Sequence, residues 1–123
     1  MNFEEYLARQ IAVSRCNFGP NERHKGVIEH IRSELEEIEA ETTPAGRAGE
    51  WVDVVILALD GLTRAVRANA NRVAEGATAN EIAGQAVKMI REKQQGKNEL
   101  RDWPDWRTIP EDRAIEHTPG SHD

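Results

Sequence analysis

The chain contains a single cysteine, Cys16, so neither an intrachain disulfide nor a multi-cysteine zinc site is open to it. It has no long apolar run. The longest clean one, Val54–Leu59, falls far short of the roughly 20 residues that cross a bilayer. Residues 1–10 lack the charged-then-apolar pattern of a secretory leader, which makes a cytoplasmic location the default expectation. An excess of cations is missing as well. Against 22 Asp and Glu stand 16 Lys and Arg, for a formal charge of -6. Such a chain offers no cationic face to duplex DNA or to an anionic membrane. Internal repeats and low-complexity tracts are also absent. What is present is 38% hydrophobic and 31% charged over 123 residues. That is enough for the core of one domain spanning 1–123, and it excludes wholesale disorder.

The apolar residues recur at helical spacing. Asn2 followed by Glu5 is a capping-box pattern that opens a first helix through about Val13. Gly19-Pro20 breaks the pattern, and Val27, Ile28, Ile31, Leu35 and Ile38 mark a second helix from about Asn21 to Glu41. Residues 42–46 read as its stop. A third helix begins near Arg47 and carries Trp51, Val52, Val54, Val55, Ile56, Leu57, Leu59 and Leu62 on all sides, the signature of a helix with no free face. Asn71–Asn80 is a polar loop or a frayed helix end. Thr78 and Glu81 repeat the capping box, and Ile82, Ala83, Ala86, Val87 and Ile90 form the apolar face of a fourth helix to about Gln95. From Trp103 the chain holds Pro104, Pro110 and Pro119, which makes 103–123 an extended tail laid on the surface. The expected class is all-α, a four-helix bundle with an irregular C-terminal tail.

Chemistry enters with the carboxylates. At about 100° per residue, Glu34, Glu37 and Glu41 line one flank of the second helix's apolar stripe. Glu34 and Glu37 are neighbours on one face, and Glu50 and Asp53 repeat that spacing on the third helix, with Asp60 further along the same side. Asp53 stands inside Trp51–Leu57, whose apolar character predicts that it is buried. A buried, unpaired carboxylate is costly, and like charges pushed together add to the cost. A divalent cation relieves both, and a cluster of oxygen donors favours Mg²⁺ or Mn²⁺ over zinc. A solvated acidic face paired with Arg or Lys is the other reading of Glu34 and Glu37. A di-iron bundle is excluded, because it needs Glu-x-x-His pairs and none of the four histidines has a Glu three positions earlier.

The pattern Glu34-x-x-Glu37, twelve intervening residues and Glu50-x-x-Asp53 resembles the metal-binding signature of the MazG-like all-α nucleoside triphosphate pyrophosphohydrolases. Phe18-Gly-Pro, Gly26-Val-x-x-His-Ile-Arg32, Glu50-Trp-Val-Asp-Val-Val-Ile-Leu-Ala-Leu-Asp-Gly61, Lys97-Asn-Glu and Trp103-Pro-Asp-Trp-Arg107 are similar to one branch, the phage and bacterial dATP/dGTP pyrophosphohydrolases. The resemblance runs from about Arg9 to His117. One departure lies around Gly96, where the segment before Lys97-Asn98 is a residue longer than the family's usual Lys-Gln-x-Lys-Asn.

The resemblance implies a MazG-type bundle that hydrolyses purine nucleoside triphosphates, dGTP or GTP or dATP, between the α- and β-phosphates. It implies two or more Mg²⁺ ions, replaceable by Mn²⁺, held by Glu34, Glu37, Glu50 and Asp53, one glutamate orienting the attacking water instead. It also implies a homodimer or homotetramer. Relatives in phages with 2-aminoadenine DNA supply dGMP to a dedicated synthetase. A polyanionic substrate needs cations beside the metals, and Arg23, Lys93, Lys97 and Arg101 are the candidates, with Asn98 as a neutral donor. Trp51 reads as core, Trp103 and Trp106 as anchors of the tail, His30 as a polar residue beside Glu34, and Cys16 as a small buried filler. The competing readings are a helical oligomerisation module without catalysis and a pyrophosphohydrolase of the same fold for phosphoribosyl-ATP or dUTP.

Overall fold

The computed structural model describes residues 1–70 and 77–121. Among them the chain forms helices α1 (Phe3–Phe18), α2 (His24–Ala40), α3 (Pro44–Ala70) and α4 (Ala79–Lys93). A π-helical turn (Gln94–Asn98) and a 3-10 turn (Trp106–Thr108) follow, and the described residues contain no strand. The expected all-α class holds. No helix among these residues is long and apolar enough to cross a membrane. The residues gather into two compact units, Met1–Ala86 and Val87–Asp123.

In the first unit the local signals act at the helix ends. The Asn2 side chain accepts from the Glu5 backbone N–H at 2.8 Å, satisfying one of the orphan donors of α1. This helix continues past its expected end at Val13 and stops at Phe18, where Gly19 takes φ 83 and its N–H donates to the Arg15 carbonyl. A positive φ is cheap only for glycine, so the stop is set there. Helix α2 starts three residues later than the spacing predicts. Arg23 adopts a left-handed conformation (φ 52) and lays its guanidinium 5.6 Å over the Phe18 ring. A Cβ at position 26 would come within 3.2 Å of that guanidinium, so Gly26 leaves the room it occupies. The break expected over residues 42–46 does end α2, at Ala40, but it is shorter than predicted, and α3 starts at Pro44 instead of near Arg47. The Thr43 hydroxyl accepts from the Gly46 N–H at 3.0 Å, and Pro44 opens α3 in the position where its missing N–H costs nothing.

Helices α2 and α3 form an αα-hairpin, and α1 packs on α3. The buried apolar side chains include Leu7, Ile11, Val27, Ile38, Val66 and Ile82; each large aliphatic one contributes roughly 1.5–3 kcal/mol. A polar node fastens α1 to α3. The Ser14 hydroxyl donates to Asp60 Oδ1 at 2.6 Å, and Arg64 Nε donates to Asp60 Oδ2 at 3.0 Å. The remaining Arg64 donors go to the carbonyls of Gly19, Asn21 and Ser14 and to the Ser14 hydroxyl. All five guanidinium N–H groups are thereby satisfied.

Three expectations are corrected. Helix α3 is not covered all round: Trp51, Val52 and Val55 are each about half exposed, at 51%, 54% and 53%. Trp51 is therefore not a core residue within this chain, and Asp53 is exposed instead of buried. The acid that α3 does bury is Asp60. Cys16 is exposed as well, because α1 runs past it with that side turned outward.

Helix α4 begins with the second expected cap, the Glu81 N–H donating to the Thr78 hydroxyl at 3.1 Å. Residues 71–76 of the polar stretch before it lie outside the described residues. In the second unit, Glu99 N–H reaches back five residues to the Gln94 carbonyl at 2.9 Å, which defines the π turn. The tail folds onto this turn: Trp103 Nε1 donates to the Asn98 carbonyl at 2.9 Å, and its ring meets His117 edge-on. Trp103 is the anchor the sequence predicts, but within this unit. Trp106, expected as a second anchor, is instead 69% exposed and flanked by the Arg107 guanidinium.

Candidate metal centre

The hairpin sets Glu34 and Glu50 level with one another, with Glu37 a turn nearer its closed end and Asp53 a turn farther from it. Glu34 lies six residues inside the end of α2, and Glu50 lies six residues inside the start of α3. At about 1.5 Å per residue both are roughly 9 Å from the closed end. Glu37 and Asp53 stand one turn from them on the same faces. One carboxylate oxygen each from Glu34, Glu50 and Asp53 falls within 4.8 Å of the others. Glu37 is exposed and adjoins Glu34 and Glu50, whose acidities it changes.

The electrostatics report the crowding. The Glu50 carboxyl is pushed up to about 7, first by the hydrogen bond its protonated form makes with Glu37, then by burial, and then by the charge of Glu37 and the nearness of Glu34. Glu34 is raised for the same first reason, with burial and the charges of Glu37 and Asp53 adding to it and a hydrogen bond with Glu50 opposing. His30 Nε2 approaches Glu34 Oε1 at 3.5 Å. The other oxygen of Glu34 and one oxygen of Glu50, both Oε2, are buried and have no hydrogen-bond donor among the described residues. A buried acceptor without a donor is costly, and two in one acidic cluster more so. The donor set is all carboxylate oxygen, the preference of a hard divalent cation. The residues fit such an ion.

Beside the acids lies a cleft that the sequence did not disclose. It has a volume of about 370 Å³ and is lined by Tyr6, Gln10, Val13 and Phe18 of α1 and by Ile56 and Leu57 of α3. Ile56 and Leu57 follow Asp53 by one helical turn. Their apolar character was visible, but the α1 residues opposite them have no signal in the sequence beyond being aromatic or aliphatic.

The other predicted residues are distributed unevenly. Arg23, stacked on Phe18, lines a recess of about 50 Å³ with Gly26, His30 and Leu57. Lys93, Lys97, Asn98 and Arg101 gather around the π turn of the second unit, where Arg101 Nη1 donates to Asn98 Oδ1 at 2.7 Å. Asp60, read as a further acid on the same side, is committed to Arg64 and Ser14.

No curated protein and no solved structure matches the chain. A family model does. The model for dATP/dGTP pyrophosphohydrolase matches residues 7–121, which takes in most of α1, the acidic hairpin, α4 and nearly all of the tail. A match of that extent means that the chain belongs to the dATP/dGTP pyrophosphohydrolase family, enzymes that act on the acid anhydride bonds of nucleoside triphosphates.

Proposed function

We propose that the chain hydrolyses purine deoxynucleoside triphosphates between the α- and β-phosphates, releasing the monophosphate and pyrophosphate, with Mg²⁺ or Mn²⁺ held by Glu34, Glu50 and Asp53. The observation that carries this is the meeting of those three carboxylates within 4.8 Å, two of them with buried oxygens that lack a donor. When bound, the divalent ions neutralise phosphate charge and make water more acidic. Glu37, next to the cluster and more exposed, orients the attacking water and takes its proton. As the new P–O bond forms at the α-phosphorus, the bond to the α,β-bridging oxygen breaks and pyrophosphate carries away the electron pair.

The apolar cleft beginning one turn beyond Asp53 receives the purine, with Tyr6 and Phe18 offering ring faces and Gln10 a polar group. Part of Gln10 is already used, since its Nε2 donates to the Ile56 carbonyl at 2.9 Å, which leaves its buried Oε1 without a donor. An exocyclic amino group is the natural partner for that oxygen. Lys93, Lys97, Asn98 and Arg101 serve the phosphates, and Arg23 the nucleoside side. The active form is a homodimer or a dimer of dimers, because α3 presents Trp51, Val52 and Val55 without cover in one chain.

Pyrophosphate release measured across the common nucleoside triphosphates, together with phosphoribosyl-ATP, tests the reading. Activity should require Mg²⁺ or Mn²⁺ and favour dATP or dGTP over dUTP and dCTP. Asp53→Asn should lower kcat by at least about 100-fold while leaving the protein folded in EDTA. Metal-independent turnover, or near-normal turnover by Asp53→Asn, would overturn the assignment.

A further inference from the structure

A second site of opposite charge lies on the same helix as the acids. Arg15 in the last turn of α1 and Arg67 in the last turn of α3 border a notch shared with Pro20, Asp60, Thr63 and Arg64. Three guanidiniums meet there, and the one carboxylate among them is already spent. Asp60 Oδ1 accepts from Ser14 and Oδ2 from Arg64. Arg64 has all five donors engaged within the chain, but Arg15 Nη2 and Arg67 Nε and Nη1 are buried with no acceptor among the described residues. The crowding is felt at Arg15, whose pKa is lowered by burial and by the charges of Arg67 and Arg64. The helix C-termini explain why cations sit here. They do not supply acceptors, since none of those three atoms makes a hydrogen bond among the described residues.

Buried guanidinium donors without acceptors mark the place of a missing anion, as buried polar groups are otherwise almost always paired. The notch itself holds about 10 Å³, close to the room for one oxygen-sized group. It is open on one side, so a larger anion can insert a single oxygen and keep its bulk outside. Two arginines that line one partly open notch suit a tetrahedral oxyanion. The site is separate from the metal centre: Arg67 follows Asp53 by fourteen residues, roughly 21 Å of helix, which is farther than one triphosphate chain reaches.

We propose that Arg15 and Arg67 form a binding site for a phosphate-type oxyanion, occupied independently of the metal centre, that locks the ends of α1 and α3 together. Its occupant is inorganic phosphate, pyrophosphate or the phosphate of a nucleoside monophosphate. The last two are what this family's reaction releases, so the site is placed to respond to product.

Thermal unfolding in EDTA tests this, with phosphate, pyrophosphate or dAMP added at constant ionic strength made up with chloride. The wild-type melting temperature should rise with the logarithm of anion concentration above Kd, by about 10 °C at about 100 times Kd. Arg15→Gln and Arg67→Gln should abolish the rise, and Glu50→Gln should retain it. A response to phosphate and pyrophosphate alone identifies a free inorganic anion; a stronger response to dAMP identifies a nucleotide phosphate. Should either glutamine variant fail to fold, Arg67→Lys, which keeps the charge and loses the fork, must weaken pyrophosphate binding in calorimetry by about tenfold. No anion-dependent rise in wild type, a rise that survives both arginine variants, or one that vanishes in Glu50→Gln would each overturn the proposal. So would a loss of oligomer in the arginine variants with no change in anion binding, because a carboxylate of a second copy would then be the occupant.

Discussion

Arg64 and Glu50 show what a buried charge costs with and without a partner. Arg64 gives every donor to an acceptor and neutralises Asp60. Its replacement strands a buried carboxylate as well as three carbonyls. Arg64→Met should therefore destabilise the fold by about 3–5 kcal/mol, read as a shift in the urea midpoint. Ser14→Ala, which removes one hydroxyl from the same node, should cost about 1–2 kcal/mol. Glu50 is the opposite case. Its folded pKa of about 7 exceeds the ordinary 4.5, so the folded state binds the proton more tightly than the unfolded state does. The stability it contributes is complete below about pH 4.5 and is lost as the pH rises through about 7. In EDTA the melting temperature should fall between about pH 5 and pH 8, and Glu50→Gln should flatten much of that slope. Saturating Mg²⁺ should flatten it too, because a bound cation takes the place of the proton. An unchanged slope in Glu50→Gln would mean that the crowding at Glu34, Glu37 and Glu50 is not felt.

At the scale of the helices, what the sequence disclosed was what is decided locally. The Asn2 and Thr78 caps act within three residues and form as their spacing predicts. The Glu34-x-x-Glu37 and Glu50-x-x-Asp53 faces follow from helical pitch alone. The start of α2 was misjudged because Arg23 is held in a left-handed conformation over Phe18, a contact between segments that no periodicity records. The extra residue near Gly96 was visible as a length, and the structure shows its form: Gln94–Asn98 closes a π turn, which takes in one residue more than an α turn. Deleting Gly96 should relax that turn to α-helix and leave Lys97, Asn98 and Arg101 on the faces they now occupy. KM should then change less than about threefold, whereas inserting one alanine after Gly96 rotates all three by about 100° and should raise KM about tenfold or more. Equal effects of the two changes would remove these residues from substrate binding.

For the whole molecule the exposed side of α3 decides. The sequence makes this helix apolar on every side, but within one chain α1 and α2 leave Trp51, Val52 and Val55 about half exposed. The expectation was a helix that needs cover all round and receives it only in part from its own chain, because periodicity reports what could be buried and not what packs there. At about 100° per residue, Trp51, Val52 and Val55 lie roughly 150° around α3 from Glu50 and Asp53, so a second copy seated on this face leaves the acids facing α2. Light scattering at micromolar concentration should give at least twice the 13.8 kDa of one chain. Val55→Asp, a charge set in the middle of the patch, should yield monomers that keep their helical circular dichroism and lose most of their activity. A monomeric but fully active Val55→Asp would separate assembly from catalysis. Whether the sites are shared is answered by mixing two inactive chains, Asp53→Asn and Lys97→Ala. If cations of one subunit serve the carboxylates of another, co-refolding should restore up to about a quarter of wild-type activity, since only the mixed dimers carry an intact site and half of their sites are intact. No recovery in a mixture shown to contain heterodimers would place each complete site within a single chain.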